Sequence, residues 1–136
     1  MAFAIKAEVR DPQAKTFVFP AQKTMYGGKR IAVGDMAFVF ASENEGGQGL
    51  LARGVVVAAE AAARKESPAR QTPRVTISVK RVALAKRRLG RGELKPFAEW
   101  SDGRPETELN FKFYRQATNK VAEITEETAA FLATFF

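Results

Sequence analysis

The sequence predicts an α+β fold: a small mixed β-barrel with flanking short helices and a C-terminal helix. Two observations lead to this fold class. Several short segments alternate apolar and polar residues, as half-buried strands do, and only the end of the chain has helical spacing. A chain of 136 residues with 46% hydrophobic and 27% charged residues has the size and composition of one folded domain, which covers residues 1–136.

The first predicted strand covers residues 3–9. Its odd-numbered residues are apolar, while Lys6 and Glu8 lie on the other side, and the strand ends before Pro12. Residues 13–31 have an irregular pattern. They predict a loop that contains one short helix or strand.

Two buried strands joined by a glycine-rich turn are predicted at residues 36–41 and 51–57. Both alternate sets of the first strand are apolar, which is typical of a central strand covered on both sides. Arg53 lies among apolar residues of the second strand, and a buried guanidinium needs an acidic partner, carbonyl groups or a ligand. We expect a structural ion pair with Asp35, Glu43 or Glu45.

The second half of the chain predicts two more strands. Residues 74–84 alternate until the phase changes at Lys80 and Arg81, which indicates a β-bulge or a strand end. Residues 86–103 form a basic segment with little periodicity and predict an extended loop with one short helical turn. Residues 109–116 alternate aromatic and polar side chains and predict a further strand.

The predicted C-terminal helix begins after Thr125. Its side chain can cap the helix, and Glu126 and Glu127 are favourable in the first turn, at the positive end of the helix dipole. Apolar residues then recur at helical spacing. The residues expected on the core side are Phe131, Leu132 and Phe135.

Positive charge is concentrated in one part of the chain. Of the formal net charge of +7, residues 64–95 carry +9 from 11 Lys and Arg and two Glu, so the remainder carries −2. Such a basic stretch is typical of proteins that bind polyanions, although a solvated loop is the alternative. The predicted phosphate-binding residues are Lys80, Arg81, Lys86, Arg87, Arg88 and Arg91.

The absence of cysteine and histidine limits the chemistry available to this chain. It excludes disulfides, thiolate catalysis and cysteine-bound zinc, and it removes the commonest general base and metal ligand. We therefore expect a binding protein with no cofactor and no metal. No apolar stretch approaches the roughly 20 residues of a membrane span, and no signal peptide is recognisable. We expect a cytoplasmic protein that does not bind membranes.

Four segments, taken in order, resemble a known superfamily. They are IKAEV at residues 5–9, the Gly-Asp pair at 34–35, FASENEGGQGLLAR at 40–53 and RQATNKVAEITEE at 115–127. Together they resemble the PUA-like superfamily, and within it the EVE domain and the related YTH domain. The resemblance implies a β-barrel whose pocket receives one flipped-out base, often a modified one, beside a basic surface. The implied partner is nucleic acid, either DNA or RNA.

The resemblance also implies a set of base-pocket residues. Lys6 and Glu8 match the opening of EVE domains, and Ser42, Glu43 and Asn44 could supply hydrogen bonds to the edge of a base. Because an unstacked base needs an aromatic or apolar wall, Trp100 is a candidate wall of a pocket near Ser42 and Asn44. The remaining candidates are Arg53, Arg115 and Gln116.

Two functions of other classes stay open at this stage. The ASCH branch of the same superfamily includes amidohydrolases that act on modified nucleosides, and Lys15, Thr16, Lys23 and Thr24 supply the residue types that such an enzyme uses. A protein-interaction module whose basic loop binds an acidic partner is the second alternative. The sequence does not distinguish DNA from RNA, name the modification or give the oligomeric state.

Overall fold

Six β-strands close into a mixed barrel in the computed structural model, which describes residues 1–62 and 73–136. The strands are β1 (Ala2–Ala7), β2 (Thr16–Met25), β3 (Met36–Ala41), β4 (Gly49–Ala61), β5 (Arg74–Leu84) and β6 (Lys120–Ile124). Their order around the barrel is β1-β3-β4-β5-β2-β6. β1 runs parallel to β3 and β2 parallel to β6, and the other neighbours are antiparallel.

Short helical segments flank this barrel. They are α1 (Arg91–Leu94), α2 (Pro105–Leu109), α3 (Glu126–Ala133), 3-10 turns at Gly28–Arg30 and Glu43–Glu45, and a π-helical turn at Asn110–Tyr114 that continues α2. None of the helices in the described ranges is long and apolar enough to cross a membrane. The predicted fold class, a mixed barrel with short helices and a C-terminal helix, is confirmed.

Strands β1 and β3 are buried on both faces, as predicted for β3. Their odd-numbered residues, such as Phe3 and Val39, point into the barrel, while even-numbered residues, such as Phe38 and Phe40, lie under the helices. Phe40 stacks on Phe113 of the π-helical turn, with ring centroids 5.9 Å apart. The outer core is completed by Leu89, Leu94, Leu109, Leu132 and Phe135.

The strand predicted at residues 109–116 is wrong, because this segment is helical. Pro105 occupies the first turn of α2, where its missing N–H is tolerated. Leu109 and Phe113 are four residues apart, both are fully buried, and both pack in the outer core. The alternation of aromatic and basic residues therefore obscured a helical i, i+4 pair.

The residue pattern alone did not predict β2 and β6 as strands. β2 covers part of the segment predicted as a loop with one short element, and its pattern is broken by a register shift between Phe19 and Gln22. β6 has five residues and begins at Lys120, which is fully buried.

By contrast, β5 has the predicted bounds, and the Thr125 side chain caps α3 by accepting a hydrogen bond from the Thr128 amide. Arg64, Lys65 and Arg70 of the basic stretch lie outside the described residues.

Glu108 joins α2 to the beginning of α3. Its carboxylate accepts hydrogen bonds from the Thr125 hydroxyl and amide at 2.7 and 3.1 Å, from the Thr128 hydroxyl at 2.8 Å and from Lys112 Nζ at 3.0 Å. Burial alone would raise the pKa of Glu108, but these hydrogen bonds outweigh it and hold the pKa below its ordinary value.

We expect Glu108→Gln to lower the free energy of unfolding at pH 7 by about 1–3 kcal/mol, since charge-assisted hydrogen bonds are lost. A depressed carboxyl pKa contributes stability in full above the ordinary value of 4.5 and loses it as pH falls through the folded value. The variant should therefore lose less stability than the wild type between pH 6 and pH 3 in urea unfolding. Glu106→Gln, in the same helix, is the control. An equal acid dependence in Glu108→Gln would contradict this assignment.

Candidate nucleic-acid interface

Two cavities adjoin at the end of the barrel where β1 finishes. The first, here called the end cavity, has a volume of about 610 Å³ and is lined by residues that include Glu8, Arg10, Val18, Pro20, Gln22, Glu45 and Asn119. The second, here called the glycine cleft, has a volume of about 430 Å³ and is lined by residues that include Gly46, Gly47, Gly49, Lys86, Arg87 and Arg88. Val9 lines both cavities, so they share a wall.

The end cavity offers both hydrogen-bond donors and acceptors. Glu8, with a side chain that is 46% exposed, forms an ion pair of 3.5 Å with Arg10. Gln22 Nε2 donates to the Pro20 carbonyl at 2.8 Å, and the Asn119 amide donates to the Glu45 carboxylate. Val18, which is 62% exposed, and Pro20 add apolar surface. This combination of apolar surface and polar groups is what a nucleobase requires.

A bulge in β2 determines where Gln22 lies. Ala21 has a φ of +47°, a backbone conformation that non-glycine residues rarely adopt. The bulge is fixed from β5, because the Ala21 amide donates to Thr76 Oγ1 at 3.0 Å and the Ala21 carbonyl accepts from Arg74 Nη1 at 2.9 Å. Such strained positions occur often at binding sites. Gln22 and Asn119 were not among the residues predicted from sequence.

The turn after β3 uses its predicted site residues as internal supports. The Glu43 carboxylate accepts from the Arg91 amide at 2.7 Å and from the Tyr114 hydroxyl at 3.0 Å. Asn44 donates to the Ala117 carbonyl at 3.1 Å and accepts from Arg91 Nη2 at 2.7 Å. Burial and the nearby Glu43 carboxylate raise the pKa of Tyr114 far above its ordinary value, which keeps its hydroxyl protonated as a donor.

Ser42 lies at the end of β3 and is 1% exposed. Its amide donates to the Ala7 carbonyl at 2.9 Å and its carbonyl accepts from the Gly47 amide at 2.8 Å. Its hydroxyl has no hydrogen-bond partner in the part of the chain that the structure describes. Ser42 therefore positions the turn through its backbone.

Lys6 and Lys120 form a buried pair at opposite positions of β1 and β6, and both are 0% exposed. Lys6 Nζ donates to the Phe113 carbonyl at 3.2 Å, and Lys120 Nζ donates to the Lys112 and Gln116 carbonyls at 2.7 and 3.1 Å. Burial lowers the pKa of Lys6, and burial together with the neighbouring Lys6 lowers the pKa of Lys120 to about 8. The two ammonium groups neutralise the carbonyl end of the π-helical turn.

The glycine cleft brings backbone and basic side chains together. A Cβ at Gly47 would lie 2.5 Å from the Ala41 backbone, so the turn packs closely only with glycine there. Of the basic wall, Lys86 is exposed, and Arg88 forms a 3.8 Å ion pair with Glu93. Arg87 donates to the Thr134 carbonyl at 2.9 Å and lies over the Phe135 ring at 4.2 Å. Arg87 is thus held against the end of α3.

The other predicted phosphate-binding residues do not line the glycine cleft. Lys80 is exposed on β5, and Arg81 Nη1 donates to the Gln13 carbonyl at 3.4 Å in the loop after β1. Arg91, at the start of α1, is held by Asn44 as described above. The basic residues therefore spread along β5 and the segment that follows it, and those that line the two cavities are Arg10, Lys86, Arg87 and Arg88.

The structure does not bring Trp100 together with Ser42 and Asn44. Trp100 lines a different groove at the opposite end of β1 and β6, with Ala2 and Ile124. Glu8, just beyond the end of β1, is six residue steps from Ala2, which corresponds to roughly 20 Å at about 3.3 Å per residue. Sequence proximity could not reveal this separation, because it depends on how residues 95–109 cross the outside of the barrel.

Arg53, Arg115 and Gln116 do not line either cavity. The acidic partner expected for Arg53 is wrong for the described residues, since none lies within ion-pair distance. The Arg53 guanidinium lies over the Phe136 ring at 5.4 Å instead, and its Nε is buried without a partner among the residues described. Arg115 lies over the Phe111 ring at 4.0 Å, and Gln116 is exposed.

The residues considered for a hydrolase are not gathered at one site. Lys15 and Thr16 lie at the start of β2, whereas Lys23 and Thr24 lie near its end. The Thr24 hydroxyl donates to the Pro73 carbonyl at 2.7 Å, so it has a structural partner. Within residues 1–62 and 73–136, no group of three or more acidic side chains is arranged to hold a metal ion.

Comparison with solved structures confirms the predicted fold, because proteins with the same barrel match nearly the whole length of this chain. The DUF55 domain of human thymocyte nuclear protein 1 has a TM-score of 0.66 and 15% identity, over 98% of this chain and 97% of that one. Human THYN1 protein, solved in complex with DNA containing 5-methylcytosine, has a TM-score of 0.64 and 16% identity, over 98% and 95%. A protein from Pseudomonas putida has a TM-score of 0.63 and 16% identity, over 99% of both chains.

The sequence itself gives no such match. No protein-family model matches the chain, and a search of curated proteins finds no significant match. The likeness to the solved structures therefore establishes the fold.

We expect the Lys120→Met variant to lose part of an alkaline gain in stability. Because the folded pKa of Lys120 is about 8 and its ordinary value is 10.5, the folded protein releases this proton first. The contribution of Lys120 to stability therefore rises as the pH increases from about 8 to 10.5, and it is lost as the pH falls back through the folded pKa of about 8. Lys120 alone should contribute a rise of roughly 2 kcal/mol in the free energy of unfolding over this range. Urea unfolding at pH 7.5 and 10 should show a smaller rise in the variant, with Lys29→Met as control. An identical rise in the wild type and in Lys120→Met would contradict the pKa assignment.

Proposed function

We propose that this protein binds nucleic acid at the end of the barrel, with one unstacked base in the end cavity and the adjoining phosphates at the glycine cleft. The observation that carries the proposal is the shared wall between a cavity with polar edges and a cleft with basic residues. A flipped-out base lies next to its own phosphates, so a protein that binds one unstacked base needs a base pocket beside a phosphate-binding surface.

The end cavity supplies the groups that would distinguish one base from another. The Glu8 carboxylate can accept a hydrogen bond from an exocyclic amine, and the Gln22 amide can both donate and accept. Asn119 provides a further amide, oriented by Glu45. Val18 and Pro20 provide apolar surface against which a ring or a methyl group can pack. Among the predicted base-pocket residues, Glu8 is thus the one we assign to direct contact.

The other predicted base-pocket residues near this end act by support in this proposal. Lys6 holds the π-helical turn, while Ser42, Glu43 and Asn44 hold the turn that lines the glycine cleft. Arg53, Arg115 and Trp100 lie outside the end cavity and have no base contact in this proposal. Gln116 supports Lys120 through its carbonyl.

The glycine cleft and the basic residues around it would bind the backbone. Lys86 and Arg88 lie at the cleft, and Lys80 and Arg81 extend the basic surface along β5. Backbone contacts give affinity and position without sequence preference. DNA with 5-methylcytosine is the first ligand to test, because a protein of the same fold was solved with it.

Binding should depend on salt and on Lys86. In fluorescence anisotropy with single- and double-stranded DNA and RNA oligomers, affinity should fall as salt rises. Lys86→Gln should reduce the slope of log K against log salt by about 0.7–0.9, the value for one phosphate contact. Lys29→Gln, an exposed lysine near the other end of β2, should leave the slope unchanged. Absence of binding at low salt, or equal effects of the two substitutions, would refute the proposal.

Base preference should depend on Gln22. Oligomers that differ only in cytosine or 5-methylcytosine, and a set with other modified bases, would be compared for wild type and Gln22→Ala. Removing an edge contact should cost about 1–3 kcal/mol for the preferred base and less for the others. Gln13→Ala, at an exposed loop position, is the control. If Gln22→Ala weakened all oligomers equally, the end cavity would not be the base pocket.

A further inference from the structure

A further groove lies at the opposite end of β1 and β6 from the proposed base pocket. This groove, here called the tryptophan groove, has a volume of about 790 Å³ and is bordered by α2, the start of α3 and the end of β6. It shares no lining residue with the end cavity or the glycine cleft. Neither the base nor the phosphates of the proposed function use it.

An aromatic surface is exposed in this groove. Trp100 is 47% exposed and packs edge-on against Phe111, with ring centroids 5.6 Å apart. Phe111 in turn contacts Tyr26 at 5.9 Å, so the indole rests on a row of aromatic rings. An exposed tryptophan held by other aromatic residues is typical of contact surfaces, since a rigid ring loses little conformational entropy on binding.

The groove is acidic although the protein carries a net charge of +7. Its walls include the carboxylates of Glu108, Glu123, Glu126 and Glu127. Glu108 and Glu123 have internal partners, in Lys112 at 3.0 Å and Arg30 at 3.2 Å. Glu126 and Glu127 are exposed and form no ion pair with any residue in the described ranges. Positive groups on the wall are Arg104 and the amino group of Met1, which is 3.6 Å from Asp35.

Charge and shape together select the occupant. The wall carries four carboxylates against two positive groups, and this acidic surplus disfavours a nucleic-acid backbone. An uncharged apolar segment would give no partner to Glu126 and Glu127, which form no ion pair within the described ranges. A guanidinium or ammonium group satisfies both features, because it pairs with carboxylates and is attracted to the face of an indole. We propose that the tryptophan groove docks a segment of a partner protein that presents arginine or lysine side chains, with one of them over Trp100.

A labelled peptide tests this directly. The probe is a fluorescein-labelled octapeptide in which four arginines alternate with serine, and its match has glutamine in place of each arginine. The arginine peptide should bind in anisotropy titrations at low salt, and the glutamine peptide should not. Because Trp100 is the single tryptophan of the chain, an unlabelled arginine peptide should also change the intrinsic tryptophan fluorescence.

Two sets of variants locate the contact. Glu126→Gln combined with Glu127→Gln should weaken binding of the arginine peptide about threefold to tenfold, as expected for two exposed ion pairs. Glu60→Gln, an exposed carboxylate on β4, should leave it unchanged. Trp100→Ala should weaken binding by a similar factor, while Trp100→Phe should retain part of the affinity. Circular dichroism checks that α3 remains folded in each variant.

The outcomes distinguish this site from the proposed base pocket. Lys86→Gln should leave peptide binding unchanged, and Trp100→Ala should leave oligonucleotide binding unchanged. No binding of the arginine peptide by the folded wild type would overturn the proposal. Equal binding of both peptides, or binding that is indifferent to both the glutamate and the tryptophan substitutions, would overturn it as well.

Discussion

The apolar outer face of β1, β3 and β6 is the constraint on which the rest of this structure depends. Phe38 and Phe40 point away from the barrel interior, so water would contact them unless another element covered them. The chain after β5 provides that cover through Leu109, Phe113 and Leu132. Burying a side chain of this size contributes about 1.5–3 kcal/mol. Packing on this face fixes where α2 and α3 lie, and therefore where each cavity opens.

The buried polar groups of these helical segments have charged side chains as hydrogen-bond partners. The π-helical turn ends over the barrel wall, where Phe113 is fully buried. Buried carbonyls need donors, and Lys6 and Lys120 supply them from beneath. Glu108 has the complementary role at the start of α3, where its carboxylate accepts a hydrogen bond from the Thr125 amide. Both arrangements place charged side chains in the interior, where they specify one position of the helical layer.

The sequence predicted the elements whose signals are local. β3 and β4 were recognisable because their residues are apolar at consecutive or alternating positions, and α3 because Thr125 precedes two glutamates. The segment at 109–116 was assigned to the wrong element because Phe111 and Phe113 fit a strand pattern, while Leu109 and Phe113 fit a helix. β6 is five residues long and opens with a lysine, which gives no strand signal. Its burial depends on carbonyl partners from another part of the chain.

The site was predictable only in part, because some of its residues are positioned by contacts with distant parts of the chain. Glu8 and the turn at residues 42–49 follow recognisable strands, so their position at one end of the barrel could be inferred. The direction of Gln22 depends on a bulge that β5 fixes, and the position of Asn119 depends on its place beside β6. Trp100 was expected near Ser42 because both seemed suited to one pocket. The path of the intervening chain carries it to the other end of the barrel.

The tryptophan groove and the glycine cleft lie at opposite ends of β1. Ala2 lines the groove and Val9 lines the cleft, so the two sites are roughly 20 Å apart at about 3.3 Å per strand residue. Counter-ions screen charges over about 8 Å at physiological ionic strength. The fields of the two ends therefore scarcely overlap in solution. One small barrel thus carries opposite polarities at its two ends, and neither end cancels the field of the other.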